Sequence, residues 1–447
     1  MAGNPDDTKV GLDMMEIGRK NFCLSFLAAA GVGGRTGGGK AEGGTGRALA
    51  KEALPQCPPR NRHPYKGIDW ATAHQIRGTT HVHCKTQEDL DVILKRIEFL
   101  TLSNYYPSAP WWPLAKMTEN YYRVHHDFPV MVNGKRVEGP FDWNKIVGDW
   151  IKDLPPERQK EYPFKEGGKI FRPLPAGVFE APNAEHHSFF DDNGRRLWWL
   201  HMNAPGSVFA SGTFDQWEDR RFQTGKRGGY DFGSGEHWGT GIDRMIQGLI
   251  YPDGGGVTIN HPVWSGHDRK FLLKILDHDP RVLGMEVIEG GKTNGGEGYW
   301  DWVLATGRQC FGFAVPDHSI RREDGAFGVN VLVTPERSVH ACLKAYRNGN
   351  FYGAKRGLGE LKFTRIAFEG TTVAAETDRP ARLEVITALG AVKKLAGTSV
   401  NWTMEDRYAS SAPRARAHIF ARIKAYAVDG SEEELFSQPY MLTPGVK

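Results

Sequence analysis

The chain contains 447 residues, of which 40% are hydrophobic and 25% charged, and its formal net charge is +4. This length accommodates a large catalytic domain and one smaller module, and the balanced composition is that of an ordinary globular protein. The sequence has no long basic stretch interleaved with aromatics, no apolar run long enough to span a bilayer and no Cys-x-x-Cys pair. These absences argue against a nucleic-acid partner, a transmembrane segment and a zinc ribbon.

Residues 1–60 are interpreted as a signal-like or disordered segment. Arg19-Lys20 precedes a mildly apolar, alanine-rich stretch from Phe22 to Val32, and this order of basic, apolar and small residues is typical of a secretory signal. A weakened twin-arginine signal of this kind would direct the protein to the periplasm or outside the cell. The alternative is a disordered tail on a cytoplasmic protein. The glycine-rich residues 31–46 cannot bury a core under either interpretation.

Residues 61–360 alternate between strand and helix patterns. Residues 77–83 indicate a strand that ends in two histidines, and apolar residues at helical spacing predict a helix over 87–100. Further helices are predicted at 237–250, 268–276, 299–306 and 338–347, and further strands at 101–104, 256–261, 282–288, 310–315 and 328–333. Strands that alternate with helices favour a parallel sheet, so we predict an α/β fold of the (β/α) barrel type.

Three segments depart from this alternation. An irregular stretch at about 107–173, rich in proline and aromatic residues, is interpreted as an insertion over the site. Residues 185–203 predict a hairpin that turns at Asp192-Asn193-Gly194. Beyond Leu361 the sequence changes to short β-like runs at 363–368, 381–387 and 419–427. This pattern predicts a small antiparallel β-sandwich module that occupies residues 361–447.

Histidines and carboxylates gather at the predicted strand ends, where barrel active sites lie. His81 and His83 alternate along one strand and therefore project from the same face, which suits chelation of a borderline transition metal. Counting back across the hairpin turn places His201 opposite Glu185 or His186, and a carboxylate that faces an imidazole commonly bridges metals. Further ligand-type residues end later strands, namely His261, Asp317 and His318. Any one of these histidines is better explained as a packed core or surface side chain, but their joint placement predicts a metal site.

The order of these motifs resembles that of the PHP (polymerase and histidinol phosphatase) superfamily, in particular its carbaryl-hydrolase-like metallohydrolase branch. The similarity spans about 69–441 and lies in Thr80-His81-Val82-His83, the hairpin, Asn260-His261-Pro262, Gly284-Met285-Glu286 and Trp300-Asp301 followed by Asp317-His318. The resemblance implies a distorted (β/α) barrel, two or three divalent metals and hydrolysis, usually of phosphoesters. The implied metal ligands are His81, His83, Glu180 or Glu185 as the bridging carboxylate, His201, His261, Asp317 and His318.

Three departures from the family pattern affect the expected number of metals. Residues 86–89 stand where Ser-Asp-Gly is usual, and Ser103-Asn104 stands where Thr-Asp-His often occurs. Asp317 directly adjoins His318, whereas the family usually has Asp-x-His. Because each change removes or weakens a ligand, we expect between one and three divalent ions, which would be zinc, manganese or iron.

The residues favour hydrolysis, first of a phosphoester, by a water that a metal activates. Asp317 or His318 would exchange the proton. Candidate substrate contacts are Asn104, Tyr105, Arg123 and His187. Stacked rings suit a small aromatic or sugar-like substrate, and Arg123 suits an anionic group. Two alternatives stay open: the same metal chemistry on a carboxyl ester, carbamate or amide, and a degenerate barrel that binds a carbohydrate or a partner without catalysis.

Overall fold

The computed structural model describes residues 54–84, 87–103, 174–186, 189–197, 199–207, 236–289, 296–321, 327–355, 361–404 and 419–442, with short pieces at 130–132, 135–137, 156, 172 and 230–231. The chain divides into two units, Met1–Ala53 and Leu54–Lys447. Nearly all of the predicted insertion at 107–173, and the signal-like residues up to Ala53, lie outside the described residues.

The helices and strands are bounded as follows. The described α-helices are α1 (Gln87–Ile93), α2 (Trp238–Gln247), α3 (Arg269–Leu276), α4 (Gly296–Ala305) and α5 (Val339–Asn348). The strands before α2 are β1 (His74–Gly78), β2 (Phe99–Leu100), β3 (Val130–Val132), β4 (Lys135–Val137), β5 (Phe179–Glu180), β6 (Glu185–His186), β7 (Phe189–Phe190), β8 (Arg196–Leu197), β9 (Met202–Asn203), β10 (Tyr230–Asp231) and β11 (Glu236–His237). The strands after α2 are β12 (Val257–Ile259), β13 (Val282–Glu289), β14 (Phe311–Val315), β15 (Gly328–Thr334), β16 (Phe351–Lys355), β17 (Phe363–Glu369), β18 (Thr372–Thr387), β19 (Gly390–Thr403), β20 (Phe420–Ala427), β21 (Glu434–Ser437) and β22 (Tyr440–Met441). Among the described helices, none combines the length and apolar character needed to cross a bilayer.

The predicted alternation is confirmed between α2 and α5, where each predicted helix and strand occurs within a few residues of its expected bounds. Side-chain caps explain two of the helix starts: Asp268 accepts hydrogen bonds from the backbone N–H groups of α3, and Ser338 does the same for α5. The helix predicted over 87–100 is wrong in its second half. It ends at Ile93, and Phe99–Leu100 form β2, which pairs with β1 and β5. Burial of Ile97 and Leu100 continues the apolar pattern across this change of structure.

Two sheets carry the predicted strand ends. In one sheet β12, β13 and β14 are parallel, and β9 and then β6 extend it with antiparallel pairing. In the other sheet β1 and β2 are parallel, β5 continues from β2, and β15 lies antiparallel to β1 on the opposite side. The mixed α/β class is therefore confirmed, and the carboxyl ends of β1, β12 and β14 supply the loops discussed below.

The described strands do not close into one barrel, so the predicted barrel is not confirmed. At the seam between the two sheets, side-chain amides replace a ladder between β14 and β15. The Ala314 N–H donates to Asn330 Oδ1 at 2.9 Å, while the Gly312 N–H donates to Gln438 Oε1 and its C=O accepts from Gln438 Nε2, both at 2.8 Å. The edge of β14 is thus satisfied by side chains from β15 and from the end of the chain.

The described strands of the carboxyl-terminal region pair in antiparallel fashion, and their sheet is continuous with the first sheet. β16 pairs with β21, and this ladder joins β17, β18, β20 and β21 to the sheet that contains β15 and β1. β19 pairs with β18, and β22 pairs with β20. The described strands beyond Leu361 therefore form one hydrogen-bonded network with the first sheet, and the predicted sandwich is not confirmed.

Residues 54–60, which the sequence interpretation assigns to the amino-terminal segment, belong to the second unit. The Arg60 guanidinium donates to the carbonyl oxygens of Val282 at 2.7 Å, Asp279 at 3.2 Å and Gln309 at 3.3 Å. It also contacts the carbonyl of Leu276, the last residue of α3. A cation that satisfies the free carbonyls at a helix end stabilises that end, so residues just before Asn61 take part in the packing.

An ion pair joins the carboxyl-terminal strands to α4. Arg422 on β20 has a side chain that is only 1% exposed, and its Nε and Nη2 atoms lie 2.8 and 2.9 Å from the carboxylate oxygens of Asp301. The guanidinium also lies over the Trp300 ring, 4.8 Å from its centroid. Asp301, part of one motif behind the family resemblance, thus has a structural partner.

We expect Asp301→Ala to lower the free energy of unfolding by about 3 kcal/mol, because it leaves the buried Arg422 charge without its main partner. Urea denaturation measures the change. Asp277→Ala is the matched control, since Asp277 pairs with Arg308 at 2.7 Å on the surface, where the two side chains are 48% and 33% exposed. That pair should contribute no more than about 1 kcal/mol. Equal losses for the two variants would contradict the structural role given to Asp301.

Candidate metal site

The loops that follow β1 and β14 are held together by their backbones. The Asp317 N–H donates to the His81 carbonyl at 3.1 Å, and the His83 N–H donates to the Asp317 carbonyl at 3.3 Å. Val82 and Asp317 form an isolated parallel bridge. The predicted ligands after two different strands are therefore brought side by side by hydrogen bonds that do not depend on a bound ion.

One group of ligand atoms forms around the histidine pair. The Nε2 atoms of His81 and His83 lie 3.0 Å apart. Glu185 Oε2 lies 3.0 Å from His83 Nε2 and 3.5 Å from His81 Nε2. Asp317 Oδ1 lies 3.1 Å from His81 Nε2 and 3.5 Å from His83 Nε2. Four ligand atoms from four residues thus point at one another in a largely buried space.

A second group forms on the other side of Glu185. Glu185 Oε1 lies 2.9 Å from His201 Nδ1 and 3.3 Å from His261 Nε2. A third group contains His83, Asp317 and His318, with the His318 ring stacked on His83 at a centroid distance of 4.1 Å. Glu185 belongs to the first two groups through different oxygens, and His83 and Asp317 connect the first group to the third.

The spacing of these atoms fits divalent ions. Metal–ligand bonds of about 2.1 Å place neighbouring ligand atoms about 3.0 Å apart in an octahedron and about 3.4 Å apart in a tetrahedron. The distances in the first two groups run from 2.9 to 3.5 Å. Imidazole nitrogens with carboxylate oxygens are a donor set that zinc, manganese and iron accept. The residues present therefore fit the implied metals.

The charges in the site also favour a cation. Burial and the nearby His318 lower the pKa of His83 to about 3, so this imidazole is neutral and offers a lone pair. Burial alone would lower the pKa of His81, but the carboxylates of Asp317, Glu286 and Glu185 outweigh it and hold that pKa well above its usual value. Three carboxylates around one buried imidazole create a demand for positive charge, which a divalent ion would meet.

Two of the predicted ligands occupy backbone conformations that L-residues rarely adopt. His261 has a φ of 27° and Asp317 a φ of 50°. Glu432 is the one further case among the non-glycine residues that the structure describes. Backbone strain of this kind costs of order 1–3 kcal/mol and concentrates at functional sites, where surrounding contacts maintain it. Its occurrence at two of the ligand positions supports a functional role for this cluster.

Glu286 in the middle of β13 holds two of the ligands. Its Oε1 lies 2.8 Å from His81 Nδ1, and its Oε2 accepts a hydrogen bond from the His261 backbone N–H at 2.7 Å. The residue is 2% exposed. It therefore leaves Nε2 of His81 directed at the ligand group and fixes the strained backbone of His261 at the same time. A carboxylate behind a metal-binding imidazole is a common arrangement.

We expect Glu286→Gln to weaken metal binding about 10- to 100-fold, because an amide of the same shape cannot accept hydrogen bonds at both positions. Competition against a chromogenic chelator measures the affinity. Glu384→Gln is the matched control, since Glu384 is also buried, 6% exposed, but lies on β18 with Lys394 3.2 Å away. An unchanged affinity in Glu286→Gln would show that Glu286 does not support the ligands.

Amide side chains support Glu185, the carboxylate that the first two groups share. Asn260 Nδ2 donates to Glu185 Oε1 at 3.2 Å, and Asn203 Nδ2 donates to Asn260 Oδ1 at 3.0 Å. Asn183 is buried beside them and donates to the carbonyls of Thr80 and Thr101 at 2.9 and 3.1 Å. Asn260, held by Asn203, therefore orients Glu185 through a hydrogen bond that brings no positive charge to the carboxylate.

The structure brings seven of the eight predicted ligands into the three groups, with His318 at the exposed rim. The residues in the three groups are His81, His83, Glu185, His201, His261, Asp317 and His318. Glu180 lies on β5 and belongs to none of these groups. The predicted substrate contacts Asn104, Tyr105, Arg123 and His187 lie outside the described residues. The support by Glu286 was not predicted, although an acid inside an otherwise apolar buried strand is a recognisable signal.

Comparisons with known proteins give little further information. No protein-family model matches the chain, and no curated protein sequence matches it. Among solved structures, it is similar to a two-domain protein from Bacteroides vulgatus ATCC 8482 that contains a predicted PHP-like metal-dependent phosphoesterase. The TM-score is 0.36 and the sequence identity 11%, with 87% of this chain and 99% of that chain covered. A likeness at this level does not establish a common fold or function.

Proposed function

We propose that this protein is a metal-dependent hydrolase and that its favoured substrates are phosphoesters. The observation that carries the proposal is the position of Glu185, whose two carboxylate oxygens face different pairs of imidazoles. Oε2 faces His81 and His83, and Oε1 faces His201 and His261. A carboxylate shared in this way is suited to bridging two cations.

Divalent ions held by these residues would lower the pKa of water towards neutrality and would neutralise charge on the substrate oxygens. Glu185 and Asp317 would supply the anionic ligands, and three buried histidines with the partly exposed His201 would supply the imidazole ligands. Burial opposes ionisation of Asp317, but His81 and His318 outweigh it and hold its pKa far below the usual range. Asp317 therefore stays ionised and is suited to holding a cation.

His318 is the group best placed to move a proton between the site and solvent. Its side chain is 53% exposed, while its Nε2 lies 3.8 Å from Asp317 Oδ1. The ring stacks on His83, which orients it at the edge of the ligand cluster. A residue that contacts both the cluster and water can return a proton to the leaving group.

The proposal is tested by removing and replacing the metal. Protein treated with a chelator should lose activity and regain it with zinc, manganese or iron, and elemental analysis should then find at least two ions per chain. Activity is measured on 4-nitrophenyl phosphate, bis(4-nitrophenyl) phosphate and 4-nitrophenyl acetate. If only 4-nitrophenyl acetate is cleaved, the substrates are carboxyl esters and not phosphoesters. Protein that binds less than one ion per chain, and cleaves none of the three, would refute the proposal and favour a binding role.

A further inference from the structure

Two exposed tryptophans lie beside the second ligand group. Trp199 is 38% exposed and Trp264 is 47% exposed, and both belong to the few large apolar side chains that are exposed in the described part of the chain. Trp199 precedes His201 by two residues, and Trp264 follows His261 by three. Both indoles are therefore carried by the same short segments that carry the ligands facing Glu185 Oε1.

The two indoles form a corner. Their ring centroids are 5.2 Å apart, and the ring planes are perpendicular, at 90°. The Trp264 ring also meets the His261 ring edge-to-face at 4.8 Å and 83°, and it lies 6.4 Å from His201. The corner is thus in contact with the ligand group and opens to solvent.

The position of Trp264 is set by a tight turn. The Ser265 N–H donates to the His261 carbonyl at 2.9 Å, and the Gly266 N–H donates to the Val263 carbonyl at 3.1 Å. The Ser265 hydroxyl lies 2.9 Å from His261 Nδ1. An exposed aromatic ring held this firmly next to a ligand loses little conformational entropy when a second ring binds to it.

We propose that Trp199 and Trp264 form a subsite for a planar aromatic ring of the substrate. The substrate would then be an aryl ester, and this inference rests on the proposed hydrolase function. A ring that stacks on one indole presents its edge to the other, and both are favourable aromatic geometries. The Ser265 hydroxyl, next to Trp264 in the chain, is already engaged by His261. The corner therefore offers ring faces to a ligand.

The inference is tested by measuring how two pairs of non-hydrolysable anions, each with an aryl and a methyl member, bind to the metal-loaded protein. Calorimetry compares phenylphosphonate with methylphosphonate, and benzoate with acetate. The wild-type protein should bind the aryl member of at least one pair about 10-fold more tightly, and Trp264→Ala should reduce this preference to about 2-fold or less. Trp264→Phe should retain part of it. Trp402→Ala, which removes an indole from β19 in the carboxyl-terminal strands, should leave the preference unchanged.

The results separate this inference from the proposed function. If the wild type hydrolyses esters with bound metal but shows no aryl preference in either pair, the aromatic subsite is refuted and the hydrolase stands. If no ester is cleaved yet the aryl preference exists and depends on Trp264, the subsite is supported and the proposed reaction is refuted. An aryl preference that survives Trp264→Ala and Trp199→Ala overturns the assignment of the subsite to this corner.

Discussion

Glu185→Gln is expected to lower turnover by about 10³-fold and to reduce the bound metal by at least one ion per chain. The substitution preserves the size of the side chain and one oxygen but removes the negative charge that faces four imidazoles. Because Oε1 and Oε2 serve different ligand groups, the amide nitrogen must face one of the two groups, and an amide nitrogen is not a metal ligand. Elemental analysis of the purified variant and its turnover on the best ester give the two measurements.

Glu180→Gln is the matched comparison, since the sequence leaves Glu180 and Glu185 as alternatives for the bridging carboxylate. Glu180 lies on β5 outside the three ligand groups. We expect Glu180→Gln to keep its metal and to change turnover by less than about 3-fold, an effect far smaller than that of removing a group that acts on the transition state. If the two variants exchanged these phenotypes, Glu180 would be the bridge, and the arrangement of Glu185 would be incidental.

The second large effect is expected for Asp317→Asn, with turnover reduced at least about 10²-fold and folding largely intact. The change removes the carboxylate charge beside His81 and His83 but keeps the shape of the side chain. Asparagine tolerates the positive φ of 50° at this position, because it is one of the few non-glycine residues that enter the left-handed region readily. Its backbone hydrogen bonds with His81 and His83 are also retained.

Melting temperature and activity per mole of folded protein separate catalysis from stability at this position. Asp317→Ala is the useful companion, since alanine at positive φ carries about 1–2 kcal/mol of strain that asparagine avoids. We expect the alanine variant to melt earlier than the asparagine variant, with both inactive. An Asp317→Asn protein that melts early yet hydrolyses at the normal rate would show that Asp317 has only a structural role.

The parts of the fold that could be predicted are those encoded within short stretches of sequence. Apolar spacing in 237–250 and the eight-residue apolar run at β13 are local patterns, and they produced α2 and β13 nearly where expected. The ligand cluster was accessible for the same reason, because His-x-His and the hairpin register depend on neighbouring residues. Glu185 pairs with Asn203 and His186 with Met202, so counting across the turn brought His201 within reach of Glu185.

The parts that could not be predicted depend on contacts between distant residues. Asn330 and Gln438 accept hydrogen bonds from backbone groups of β14, and no local pattern marks these amides for that role. The carboxyl-terminal strands join the first sheet through β16 and β21, which are separated by about eighty residues in the chain. The sequence shows Glu286 as an acid within an apolar strand. Its contacts with both His81 and His261 could not be predicted, because they depend on the positions of two distant loops.

The way in which Gln438 binds Gly312 has a consequence for solubility. β14 is the last strand of the sheet that carries His261 and Asp317, and an uncovered edge strand is a template for pairing with another chain. The Gln438 amide takes both the N–H and the C=O of Gly312, and the neighbouring Pro439 carbonyl accepts a hydrogen bond from Gln309 at 3.0 Å. The segment between β21 and β22 therefore protects this edge from pairing with another chain. A variant that lacks β21 and Gln438 would expose that edge, and we expect it to aggregate.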